Sequence, residues 1–138
     1  MIRKLSHIGI AVADLESSIA LYASIFQPSA IHREHVPEQN VEIASFVVGD
    51  VRIELVAATD PDSPIARFIQ QRGQGIHHLA FESDDIAGDL ARLAADGIQL
   101  VNSQPTLGAH DMLIAFLHPK STGGVLMELC QPRQPSTT

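Results

Sequence analysis

His7 and His78 each open the same short pattern, His7-Ile8-Gly9-Ile10-Ala11-Val12 and His78-Leu79-Ala80-Phe81-Glu82. Val51-Arg52-Ile53-Glu54-Leu55 is echoed by Val125-Leu126-Met127-Glu128-Leu129. The chain therefore reads as two copies of one module, each with a histidine near its start and a glutamate near its end. Two imidazoles and two carboxylates brought together form a donor set for one divalent cation, and that set suits Co²⁺, Mn²⁺, Ni²⁺, Zn²⁺ or Fe²⁺. An octahedral ion with four protein donors keeps two adjacent positions for two oxygens of one substrate. There it acts as a Lewis acid on a carbonyl.

Taken singly, each of these residues has a plainer reading. A strand histidine is more often packed, and a strand glutamate more often faces solvent. The repeat shifts that balance, because four residues stand at matching module positions. Glu54 and Glu128 also lie between apolar neighbours, and a buried carboxylate needs a partner or it protonates. Glu42, early in a strand, either faces the same cavity or is solvated. His77 alternates away from His78 and reads as structural. His32 and His35 sit on a polar strand and are expected to be exposed. His110 and His118 lie near the Gly/Pro turns of the second module, with His110 a candidate for substrate contact. Asp84-Asp85 reads as a helix cap, and Cys130 as a small packed residue. Arg33, Arg67, Arg72 and Lys120 are candidates for anionic groups on a ligand.

The elements that must position these residues follow from periodicity. Leu5 to Val12 is a strand with Ile8, Ile10 and Val12 on one face and His7, Gly9 and Ala11 on the other. Leu15 to Phe26 is a helix, with Asp14 as N-cap and an apolar face of Leu15, Ile19, Tyr22, Ala23 and Phe26. Strands are expected at 30–35, 41–48 and 51–57, with Gly49-Asp50 as a hairpin turn. Ser63-Pro64 starts a connector helix. The helix face returns 71 residues later as Ile86, Leu90, Leu93 and Ala94, and Phe46 is matched by Phe116 at an offset of 70. Glu54 and Glu128 are 74 apart, and the extra residues fall in the turn Pro119-Lys120-Ser121-Thr122-Gly123-Gly124. The expected class is α+β, as two tandem βαβββ modules in a single domain. Module one spans about 4–58, the connector helix about 63–72, module two about 75–131 and the tail 132–138. Gln131 to Thr138 reads as frayed.

The 138 residues carry 9 basic and 16 acidic side chains, a formal net charge of −7, which argues against a general nucleic-acid binder. No apolar run reaches the roughly 20 residues that span a bilayer, so no membrane partner is expected. The N-terminus has no secretory signal pattern. A single cysteine fits a reducing cytoplasm.

The paired modules resemble the vicinal oxygen chelate superfamily, which includes glyoxalase I, extradiol dioxygenases and methylmalonyl-CoA epimerases. Several segments point to the last family: His7 to Val12, Asp62-Ser63-Pro64-Ile65-Ala66, Gly75 to Glu82, Gly108-Ala109-His110 and Phe116 to Leu129, with the His118-Pro119-Lys120 turn the most specific. The resemblance implies a fold built around a metal-binding cavity and a divalent metal, Co²⁺ favoured, held by His7, His78 and Glu128 with Glu54 as fourth ligand. It implies an acyl-CoA substrate, a homodimer, and a 1,1-proton transfer with Glu42 and Glu128 as acid and base. Asp111 stands where glycine is expected, which bears on the loop over the substrate. A glyoxalase I-type lyase and a metal-free small-molecule binding protein are the alternatives on this scaffold.

Overall fold

Strand β1 (Ile2–Ala11) sorts its side chains by size. Ile10 and, just past the strand, Val12 pack with Leu15, Ile19 and Tyr22 of helix α1 (Leu15–Phe26) over Ala44, Leu55 and Ala57. His7, Gly9 and Ala11 take the other face, as the alternation requires. Asp14 caps α1 by accepting from the backbone N–H of Ser17 at 3.3 Å. Gln27, in the left-handed region, closes it ahead of Pro28.

The structure is a computed structural model and describes residues 1–133. After α1 come β2 (His32–Val36), β3 (Val41–Val48) and β4 (Val51–Ala58). The two-residue turn Gly49-Asp50 joins β3 to β4, with the Val48–Val51 pair closing the hairpin. Helix α2 (Pro64–Arg72) leads to β5 (Gly75–Ser83), α3 (Ile86–Ala95), β6 (Thr106–Leu107), β7 (Met112–Leu117) and β8 (Met127–Pro132). The class is α+β. Among the described residues, no helix is long and apolar enough to cross a membrane.

Two compact units divide the chain, one of Ser6–His78 and one of Met1–Leu5 with the chain from Leu79 onward. In the first, the strand order is β2-β3-β4-β1, with β1 and β4 parallel and the rest antiparallel. In the second the order is β6-β7-β8-β5, with β5 and β8 parallel. The same topology with the same parallel seam is what a duplicated module produces. The second unit has its own core of Ile86, Leu90, Ala115, Leu117 and Leu129.

Some boundaries differ from expectation, β2 running His32–Val36 where 30–35 was expected. β1 begins at Ile2 rather than Leu5. Gln131 and Pro132, read as part of a frayed tail, end β8 opposite Leu113 and Met112. The Gln131 amide explains its order: Oε1 accepts from the Ile86 N–H at 2.8 Å and Nε2 donates to the Asp84 carbonyl at 3.0 Å, which fixes the start of α3. The rest of that expected tail, from residue 134, lies outside the described residues.

Ser63 is buried, and its Oγ accepts from the Ala66 N–H at 3.2 Å at the head of α2, the helix that feeds His78 into place. Ser63→Ala is expected to cost about 1 kcal/mol of stability, read as a lower denaturant midpoint at unchanged m-value.

Candidate metal centre

Three of the four expected donors meet inside the Ser6–His78 unit. In the parallel pairing of β1 with β4, Gly9 stands opposite Glu54 and His7 opposite Arg52. Glu54 is therefore a diagonal neighbour of His7 on the same face. Its Oε2 lies 3.3 Å from Nδ1 of His7, and both side chains are buried. His78, on β5, brings its Nε2 to 3.3 Å from Nε2 of His7, with the two rings edge to face.

That last distance is the test of fit. Two nitrogens each about 2.1 Å from one ion lie roughly 3.0 Å apart at a right angle and roughly 3.4 Å apart in a tetrahedron. The separation of 3.3 Å falls in that window. Binding also requires lone pairs rather than protons on these nitrogens. Burial, reinforced by the neighbouring His7 and His77, holds the His78 pKa well below the ordinary histidine value. The ring is therefore neutral at physiological pH.

Which nitrogen of His78 keeps its proton is set by His77. Alternation put His77 on the opposite face, yet its Nδ1 is 2.9 Å from Nδ1 of His78. For His78 to offer Nε2, its Nδ1–H must donate to His77. Burial lowers the His77 pKa to about 4, so the ring remains an acceptor. It is braced edge-on against Phe68 of α2, over which Arg72 lies at 5.8 Å. On His7 the outer nitrogen, Nδ1, faces Ser6 Oγ at 3.1 Å as well as Glu54. Glu54 thus meets His7 on the side away from His78 and orients the imidazole. To serve as a fourth donor, its side chain must turn toward Nε2.

Glu128, the fourth expected donor, belongs to the other unit. It sits on β8 opposite Ala80 of β5 and Phe116 of β7 and is 4% exposed, so the prediction that this glutamate is buried in an apolar strand holds.

Glu42 is not brought to this face. It pairs with Ala57, and Ala57 packs with Leu55 and Ala44 under α1. Paired residues share a side of the sheet. The side of Glu54 carries Ser45, its direct partner, and Ile43. Glu42 is exposed on the opposite side, three pairs along the strand. The sequence reading missed this because alternation along one strand does not say which side is which. Cross-strand register does.

The remaining candidates resolve simply. His32 and His35 are exposed. Asp85 caps α3 by accepting from the Gly88 N–H at 3.0 Å. Cys130 is fully buried, its thiol donating to the Phe81 carbonyl at 3.6 Å. Arg33 is paired with Glu16, while Arg67, Arg72 and Lys120 are exposed. His110 and Asp111 both have positive φ, 58° and 57°. Asp111 stands where glycine was expected, in the backbone region that glycine favours. Arg133 helps to hold it there, with Nη2 at 2.9 Å from Oδ1 and its N–H donating to the Asp111 carbonyl at 3.1 Å.

Comparison with known proteins agrees with this geometry. The Glyoxalase/Bleomycin resistance protein/Dioxygenase superfamily matches residues 6–116. An uncharacterized protein of Bacillus subtilis is 38% identical over 94% of this chain and 93% of its own length. The Ethylmalonyl-CoA/methylmalonyl-CoA epimerase of Cereibacter sphaeroides is 35% identical over 95% and 99%. A solved structure of a methylmalonyl-CoA epimerase in complex with methylmalonyl-CoA and NH4+ superposes with a TM-score of 0.92 at 29% identity, covering 100% of both chains. The chain belongs to the glyoxalase/bleomycin resistance protein/dioxygenase superfamily and, within it, to the methylmalonyl-CoA epimerase family. It is accordingly an enzyme of the isomerase class with the vicinal oxygen chelate fold, a membership that implies a divalent metal.

A Cβ placed on Gly9 would lie 2.1 Å from Cε1 of His78 and 2.7 Å from its Nε2. Gly9→Ala must push that ring off the face. It is expected to weaken Co²⁺ binding by at least ~10-fold in calorimetric titration, with the circular dichroism spectrum unchanged. Unaltered affinity would show that His78 does not ligate from this position.

Proposed function

We propose that this chain interconverts (2R)- and (2S)-methylmalonyl-CoA by 1,1-proton transfer. The observation that carries the proposal is the convergence of two buried imidazole Nε2 atoms at 3.3 Å, with a buried carboxylate beside them, in a member of an epimerase family. His7, His78, Glu54 and Glu128 would hold the ion, and Glu54 would have to turn from Nδ1 of His7 to reach it. Co²⁺ is the favoured metal, because the family resemblance points to it and a mixed imidazole and carboxylate set accepts it.

A divalent ion held there supplies Lewis acidity, which acidifies a carbon flanked by a thioester and a carboxylate and stabilises the enolate. The chain's own residues do the rest. His77 keeps the His78 tautomer, and Glu54 and Ser6 hold the His7 ring, so the donors need little reorganisation. The missing side chain of Gly9 makes room for the His78 ring on the face of β1. Glu128 is one proton-transfer group: its carboxylate takes the α-proton as the C–H bond breaks, and the electron pair passes to the thioester carbonyl. Inversion requires that a proton return on the other side of the carbon. The expected homodimer belongs to the same proposal, supported by the exposed apolar residues Leu21, Ile25 and Phe26 along α1. A cytoplasmic setting is part of it too.

The deciding measurement is hydrogen exchange in deuterated buffer. The Co²⁺-loaded protein is expected to exchange the α-hydrogen of both epimers with solvent and to invert each. Chelation of the metal should abolish both. A protein carrying Co²⁺ that exchanges neither epimer is not this enzyme.

The register makes a separate expectation for Glu42. Glu42→Gln should keep turnover within about threefold of the parent, against the ~100- to 10,000-fold loss that follows removal of a general base. A severe loss with the metal retained would return Glu42 to the mechanism.

A further inference from the structure

The face that carries His7 and Glu54 also carries a cation. Along β4, Arg52, Glu54 and Val56 point to one side, as alternation requires. Register sets Arg52 directly opposite His7 on β1 and opposite Val47 on β3. Paired residues share a side of the sheet, and neighbouring strands run about 4.8 Å apart, so Arg52 and His7 leave the sheet side by side. The same register shows where this face opens. Ser45 and Ile43 are buried opposite Glu54 and Val56, whereas Val47, opposite Arg52, is 61% exposed. Arg52 is half-buried, between the closed end of the face and the open one.

Its charge is not used up within the chain. Arg3 is paired with Asp84, Arg33 with Glu16, Arg92 with Asp89 and Asp96, and Arg133 with Asp111. Among the described residues, the Arg52 side chain makes no ion pair and no hydrogen bond. Glu54, two residues along the strand, is turned to His7 instead. A half-buried guanidinium has given up part of its water without gaining an acceptor, so it profits most from an anion that arrives with a ligand. Its planar fork matches a carboxylate.

We propose that Arg52 binds the free carboxylate of the acyl group and thereby selects acyl-CoA thioesters that bear one. The choice of ligand rests on the epimerase reading above. The substrate carbon carries a thioester and a carboxylate, and a residue beside His7 meets that end of the molecule. The phosphates of CoA lie at the far end of the pantetheine arm. Held by the guanidinium, the carboxylate fixes the orientation of the α-carbon. A neutral acyl chain in its place leaves the cation desolvated and unpaired, which is a penalty against the wrong ligand.

The test compares methylmalonyl-CoA with propionyl-CoA, which lacks the carboxylate, by calorimetric titration of full-length Co²⁺-loaded protein. The parent is expected to bind methylmalonyl-CoA at least ~10-fold more tightly. Arg52→Gln is expected to weaken methylmalonyl-CoA at least ~10-fold and to leave propionyl-CoA within about twofold, as loss of a charge-assisted hydrogen bond requires. In turnover the loss should appear in KM rather than kcat. Co²⁺ affinity should not fall, because a neighbouring positive charge is removed and no donor is. Equal weakening of both ligands, which a CoA phosphate contact produces, a loss of Co²⁺, or unchanged affinity for both would each overturn the proposal. If Arg52→Gln does not fold, Arg52→Met, which keeps the aliphatic stem, carries the same comparison. These titrations need no turnover. A parent that exchanges the α-hydrogen of neither epimer, yet separates the two ligands through Arg52, loses the epimerase reading and keeps this inference. A parent that exchanges both epimers while Arg52→Gln changes neither affinity keeps the epimerase reading and loses this one.

Discussion

The geometry depends on two buried imidazoles set nose to nose over a glycine. Removing His78 from water denies it its proton. The missing side chain at Gly9 gives the His78 ring somewhere to lie. Neither condition is enough alone. Neutral rings that do not converge bind a cation weakly, and convergent rings that are protonated repel it. Burial, convergence and tautomer are three separate requirements, and the chain meets each with a different residue: its own apolar strands, Gly9, and His77.

Much of this was legible in one dimension. The offset of 71 between the histidines and the helix faces, with the extra residues falling in the turn at 119–124, identified the duplication. The strand orders β2-β3-β4-β1 and β6-β7-β8-β5 express it. The phase of β1 was readable because its two faces differ so much in size. Helix α1 came out at its predicted limits because a cap, an apolar stripe and a following proline agree.

Glu42 was misplaced for a reason of the same kind. Val41-Glu42-Ile43-Ala44-Ser45 has apolar or small residues on both faces, so nothing in the strand itself says which face is turned to the helix. A slip of one residue moves every side chain to the other side. Only the pairing of Ala44 with Leu55, under α1, decides it. His77, read as structural, also bonds to His78. Alternation correctly separates neighbouring side chains, but imidazoles are long enough for their Nδ1 atoms to meet at 2.9 Å.

Duplication also explains why the donors are easier to find than the proton carriers. A cation asks for the same thing from each copy, one imidazole and one carboxylate, so the repeated positions remain alike. Moving a proton across a stereocentre asks for different things on its two sides, and that asymmetry has to come from where the copies have diverged. β2 is five residues long, whereas its counterpart β6 is the two-residue Thr106–Leu107. The loop that follows β6 holds two successive residues, His110 and Asp111, at positive φ, where the loop after β2 has one, Asn40. Self-comparison of the chain therefore exposes the repeated histidines and glutamates, and the same comparison is blind to residues that stand where the modules no longer match.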